Sequence, residues 1–107
     1  MFYRVRARLK KEAAAEFLGK LLDGRIADQR PDGSEIVDSM KRAVVSDSGD
    51  IEWSEVCYCP TPLAHERRTV YDHHLDDLTT EVVDGYQEQT GRPFMEYLEE
   101  VAEASAK

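Results

Sequence analysis

No apolar run in this chain approaches the ~20 residues a membrane-spanning helix requires. The first residues, MFYRVRARLKK, alternate charge with apolar side chains and lack the unbroken apolar stretch of a secretory signal. Basic residues are scarce: 14 Lys and Arg stand against 22 Asp and Glu, a net charge of −8. Such an acidic protein repels phosphate backbones and anionic membranes, so neither nucleic acid nor membrane is expected as a partner. A basic tail and the aromatic signature of an RNA-binding sheet are both missing. There are only two cysteines. A cytosolic location is the default, and there both thiols stay reduced. No internal repeat or low-complexity segment divides the chain.

What remains is an ordinary globular composition, 41% hydrophobic and 34% charged, over 107 residues. That size suits a single domain spanning residues 1–107. Residues 2–9 alternate with period two. Tyr3, Val5, Ala7 and Leu9 fall on one face and Arg4, Arg6 and Arg8 on the other, which predicts a strand with one buried side. KKEAAAEFLGKLLDG changes to helical spacing, with Phe17, Leu18, Leu21 and Leu22 inward and Gly24 as the stop. RIADQRPDG reads as a connection, and SEIVDSMKRA as a short helix capped by Ser34.

RAVVSD and DIEWSEVCYC are strand-like runs joined at Ser48-Gly49, a hairpin signal. Thr61-Pro62 is expected to open a helix whose apolar face carries Leu63, Ala64, Arg67, Val70, Tyr71, His74 and Leu75. The β-branched content of residues 78–83, closed by Asp84-Gly85, favours a last strand there. RPFMEYLEEVAEASAK supplies an amphipathic terminal helix over about 93–105. The order predicts an α+β fold of the ferredoxin-like βαββαβ kind, an antiparallel sheet with helices on one face and an appended C-terminal helix. The first and third strands are then central neighbours. The sheet face left bare is expected to be partly polar and covered by a second copy of the chain or by the terminal helix.

Both cysteines and all three histidines lie between residues 57 and 74. Thiolate and imidazole suit zinc, and Cys57, Cys59 and His65 are the conceivable ligands. His73 and His74 diverge by about 100° on a helix and do not pair with His65, so packing of the cysteines is the simpler expectation and neither metal nor cofactor is assigned. Cys59, just ahead of a helix start, is a candidate reactive thiol. Tyr71 and His74 are candidates for a hydrogen-bond donor and a proton acceptor. Asp72, His73, Asp76 and Asp77 form an acidic stretch open to a divalent cation or simply to solvent. Glu55 interrupts an apolar strand face, and if buried it needs a partner, with Arg4, Arg6 and Arg8 as candidates.

EWSEVCYCPTPLAHERRTVYD and PDGSEIVDSMKRA together resemble a family of short uncharacterised proteins associated with cyanobacteria. That resemblance spans most of the chain and implies no activity, cofactor or site residue. In fold alone the pattern is similar to dimeric ferredoxin-like domains, which include cofactor-free monooxygenases and ligand-sensing modules. The leading expectation is a non-catalytic homodimer holding a small molecule or a protein partner near Trp53, Tyr58, Tyr71 and His74, with Arg4 and Arg6 as anion-binding groups. The other is a small enzyme, either thiol-dependent at Cys59 or monooxygenase-like at Tyr71 and His74.

Overall fold

Alternation at the N-terminus produces the centre of the sheet. In a computed structural model describing residues 1–105, β1 (Phe2–Leu9) buries Tyr3, Val5, Ala7 and Leu9 and turns its arginines outward. After a single 3-10 turn comes α1 (Ala14–Leu22), then α2 (Gly33–Arg42), β2 (Val44–Val45) and β3 (Asp50–Val56). A third helix, α3, opens as Ala64–Glu66, widens into a π-helical turn over Arg67–Tyr71 and closes as Asp72–His74. β4 (Leu75–Val83), β5 (Arg92–Pro93) and α4 (Phe94–Ser105) complete the chain.

All strand pairings are antiparallel, and the sheet order is β4-β1-β3-β2-β5. The inner face and the helices share one core, to which Val5, Ile51, Trp53, Phe17, Ile36, Met40, Phe94 and Leu98 contribute fully buried side chains. The expected α+β architecture is therefore present, with β1 beside β3 and the 78–83 segment in a strand. Among the described residues no helix is long and apolar enough to cross a membrane.

Five local expectations need correction. The helix after Pro62 starts later than expected, because Leu63 takes a left-handed φ of 56° and Thr61 closes only a turn, accepting the Ala64 N–H at 3.1 Å. Leu75 belongs to β4, which starts three residues earlier than the β-branched run suggested. Ser34 is not the cap of α2. The helix begins at Gly33, where a Cβ would lie 2.0 Å from the Ile26 carbonyl oxygen, so only glycine permits the close approach of the preceding connection. The terminal helix α4 packs on α1 and α2 on the core side, not on the bare face of the sheet. Finally, β3 ends at Val56, so Cys57 and Cys59 lie in the loop beyond it.

The outer sheet face is a lattice of charge. Glu52 accepts from Arg4 (3.1 Å) and from Arg6 (2.6 Å), and Asp50 accepts from Arg8 (2.9 Å). β4 and β5 lie on opposite edges, so the 84–91 connection has to cross the sheet. It does so at one end of the outer face. The Gln87 N–H donates to Ser54 Oγ (2.9 Å), and the Tyr86 ring meets Phe2 edge-on at 5.0 Å.

Candidate functional site

Beyond β3 the chain bends through Cys57–Leu63 before α3 begins, and the bend leaves a cleft of about 270 Å³ against the start of α2. Pro31 and Val56 form its apolar walls, Tyr58 stands at the rim, and Asp32, Glu35 and Glu66 supply carboxyls. Tyr58 is 88% exposed, whereas Glu66 is only 1% exposed. Glu66 owes that position to the π-helical turn. The extra residue per turn brings Glu66 onto the buried side with Val70 and His74 and lets Arg67 swing out to Asp72, to which its Nε donates at 3.0 Å.

Two overlapping groups of donor atoms meet on this carboxyl. The Cys57 and Cys59 sulfurs and a Glu66 oxygen lie within 4.8 Å of one another, and so do ligand atoms of Asp32, His65 and Glu66. The Cys59 thiol donates to Glu66 Oε1 at 3.5 Å, and the Cys59 backbone N–H donates to Cys57 Sγ at 3.2 Å. His65 Nδ1 lies 2.6 Å from Asp32 Oδ2. Behind them Gln29 Nε2 donates to Asp32 (3.3 Å) and to Thr69 Oγ1 (2.7 Å), while the Thr69 hydroxyl donates to the His65 carbonyl (2.8 Å). Burial would raise the Asp32 carboxyl, but hydrogen bonds with His65, Glu66 and Gln29 outweigh it and hold the group below the usual range. Burial also pushes the Cys57 thiol up to about 12, against the backbone N–H groups of Cys59 and Leu63, which pull it down.

A second polar group lies deeper, in the core. Glu55 is fully buried and takes no arginine, contrary to the pairing expected for it, because it points to the inner face while the arginines point outward. Its Oε1 accepts from Trp53 Nε1 (2.8 Å) and from the Tyr71 hydroxyl (2.5 Å), and its Oε2 has no partner among the described residues. Burial lifts the Glu55 carboxyl to about 8, and the nearby Glu66 and Glu35 carboxylates add to the rise. Burial and the Glu55 charge likewise raise the Tyr71 phenol well above its ordinary range.

The residues expected to share one site are thus spread over four places. Trp53 and Tyr71, with ring centres 5.2 Å apart, are core side chains engaged by Glu55. His74 is 1% exposed, stacks on Phe17 at 4.6 Å and holds the Val70 carbonyl through Nδ1 at 2.7 Å, with Nε2 unpartnered among the described residues. Arg4 and Arg6 belong to the ion pairs of the outer face. Only Tyr58, Cys57, Cys59 and His65 approach the cleft, and His73 turns away to the Arg68 carbonyl (2.9 Å). Cys57 and Cys59 cluster with Glu66, whereas His65 clusters with Asp32 and Glu66, so the two sulfurs and the imidazole do not form one group by themselves. Asp32 and Glu66 were missed. The first reads as turn chemistry in PDG; the second sits one position off the helical face until the π turn shifts it.

In chemical terms the cleft floor offers two sulfurs and a buried carboxyl, with an Asp–His pair alongside. Comparison with family models, with curated proteins and with solved structures returns no match.

Proposed function

We propose that this chain is a ferredoxin-like binding domain, cytosolic and homodimeric, that takes a small positively charged ligand in the cleft between α2, the end of β3 and α3, without catalysing its turnover. The observation that carries this reading is Glu66, 1% exposed in the wall of an open cleft. It accepts from a thiol, and ligand atoms of Asp32 and His65 lie within 4.8 Å of it. A buried acid with no Lys or Arg paired to it among the described residues favours whatever brings positive charge to it. The overall charge of −8 draws cations toward the protein as well. The order β4-β1-β3-β2, with α1 and α3 as connections, supports the ferredoxin-like assignment. The part of the ion-paired outer face that the 84–91 connection leaves open supports a second copy as its cover.

Benzylammonium, a cation on a flat apolar ring, is a suitable probe for a cleft with apolar walls. Titrated into the isotopically labelled protein, it is expected to shift the amides of Asp32, Tyr58, Cys59 and Glu66 together, and Glu66→Gln is expected to weaken that response. Shifts scattered over the acidic surface, or none, would contradict the cleft assignment. Sedimentation equilibrium giving the mass of one chain would remove the dimer. The enzymatic alternatives draw less support from the geometry. The Cys59 sulfur faces a carboxyl, whose negative charge disfavours a thiolate, rather than an imidazole or a cation, the Tyr71 hydroxyl is engaged by Glu55, and the His74 ring is stacked in the core.

A further inference from the structure

We propose that the floor of the cleft is a site for a thiophilic divalent cation of the zinc type, bound by Cys57, Cys59 and Glu66 with a fourth position open to the cleft. The inference deepens the reading of the cleft as a cation site and rests on it. Three independent features point there.

The first is spacing. Tetrahedral zinc, with Zn–S of about 2.3 Å and Zn–O of about 2.0–2.2 Å, sets its donor atoms about 3.5–3.8 Å apart. The Cys59 Sγ to Glu66 Oε1 separation is 3.5 Å, and all three donors already lie within 4.8 Å of one another. Small side-chain rotations bring them onto one centre.

The second is unbalanced charge. The chain has two buried glutamates near this point, and they are treated differently. Glu55 is given an indole N–H and a phenol O–H. Glu66 has a thiol at 3.5 Å and, within 4.8 Å, ligand atoms of a second carboxyl, Asp32, and of His65. Two facing carboxyls repel unless a proton or a metal ion lies with them. A divalent cation also displaces the thiol protons, turning the weakest donors in the cluster into its strongest ligands.

The third is the backbone. The Cys59 N–H donates to Cys57 Sγ at 3.2 Å. A neutral thiol is a weak acceptor, whereas a metal-bound thiolate uses such a bond well. Two sulfurs in the set select zinc and its soft neighbours over magnesium or calcium, which require oxygen donors. His65, fixed through Nδ1 on Asp32, stands beside the Glu66 carboxyl and steers what occupies the fourth position.

Cobalt(II) reports such a site directly. The whole chain, reduced with a phosphine and stripped with a chelator, is titrated with cobalt(II) and then with zinc(II). One equivalent of cobalt is expected to raise a near-ultraviolet thiolate-to-metal charge-transfer band and the visible bands of four-coordinate cobalt, and zinc to abolish both. Cys57→Ser, Cys59→Ser and Glu66→Gln are each expected to weaken binding by at least about 10- to 100-fold, the loss that even an outer partner of a ligand produces. Circular dichroism of each metal-free variant separates loss of the site from loss of fold. Absence of the charge-transfer band from the wild-type chain overturns the metal site whatever the variants do, as does binding that all three substitutions leave unchanged. Benzylammonium shifts in a chain that shows no cobalt band would sink the metal site and leave the cleft reading standing; a cobalt band without those shifts would do the reverse.

Discussion

A single buried carboxyl shows how burial is converted into pH dependence here. Among the described residues Glu55 has two neutral donors, no cation and an orphan oxygen, and its carboxyl is lifted from 4.5 to about 8. The folded protein therefore holds a proton on Glu55 that the unfolded chain releases near its ordinary pKa. Stability from this group is fully present below about 4.5 and is lost as pH rises through about 8. His74 acts in the opposite direction. Burial lowers it below 6.5, so the fold loses stability as acidification protonates the unfolded imidazole. Glu55→Gln keeps the shape of the protonated acid and removes only the first effect. Denaturant titrations are expected to show wild type and Glu55→Gln nearly equal at pH 5, with the variant gaining steadily on wild type up to pH 8. A constant difference across that range would mean that Glu55 is ionised in the fold. Tyr71→Phe removes one of the two donors and is expected to cost about 1–3 kcal/mol in the same titrations at pH 7.

Secondary elements were legible where one period ran undisturbed. Alternation over residues 2–9, helical spacing around Phe17 and the Ser48-Gly49 turn each have a single solution, and β1, α1 and the β2–β3 hairpin follow them. Legibility failed where the backbone departs from its regular period. Leu63 at positive φ delays α3, and the π turn then shifts the inward stripe by one residue, so Glu66 enters the site and Arg67 leaves it. A fixed step of about 100° per residue misses both. Gly33 is a second such point, since its need for glycine comes from the Ile26 carbonyl, seven positions earlier, and not from any local turn. Gly33→Ala is expected to cost on the order of 2–4 kcal/mol, because backbone must move to admit the methyl group. Gly85→Ala, with nothing within 4 Å of its Cβ, is expected to stay within about 0.5 kcal/mol of wild type. Thermal melting of the two variants side by side checks the contrast.

Across the whole molecule the two faces of the sheet divide the work. The inner face carries the core and the buried acids, while the outer face pairs arginines with Glu52 and Asp50 in solvent. The C-x-C spacing and the nearby histidines were visible in the sequence as an aggregate. Their partition was not, since it depends on which loops the sheet order brings beside the end of β3. Exposed ion pairs contribute little, so Glu52→Gln is expected to change stability by less than about 1 kcal/mol, with the tertiary circular dichroism unaltered. With the core and the outer pairs accounted for, the cleft is where a buried carboxyl stands beside two sulfurs, with no Lys or Arg paired to it among the described residues.

Amide chemical shifts during a zinc(II) titration of the reduced, metal-free chain test that assignment most directly. Changes confined to Asp32, Cys57–Cys59 and His65–Glu66, complete at one equivalent, are the expected result. Changes centred on Asp72–Asp77 or on the acidic face of α4, with the cleft silent, would contradict it.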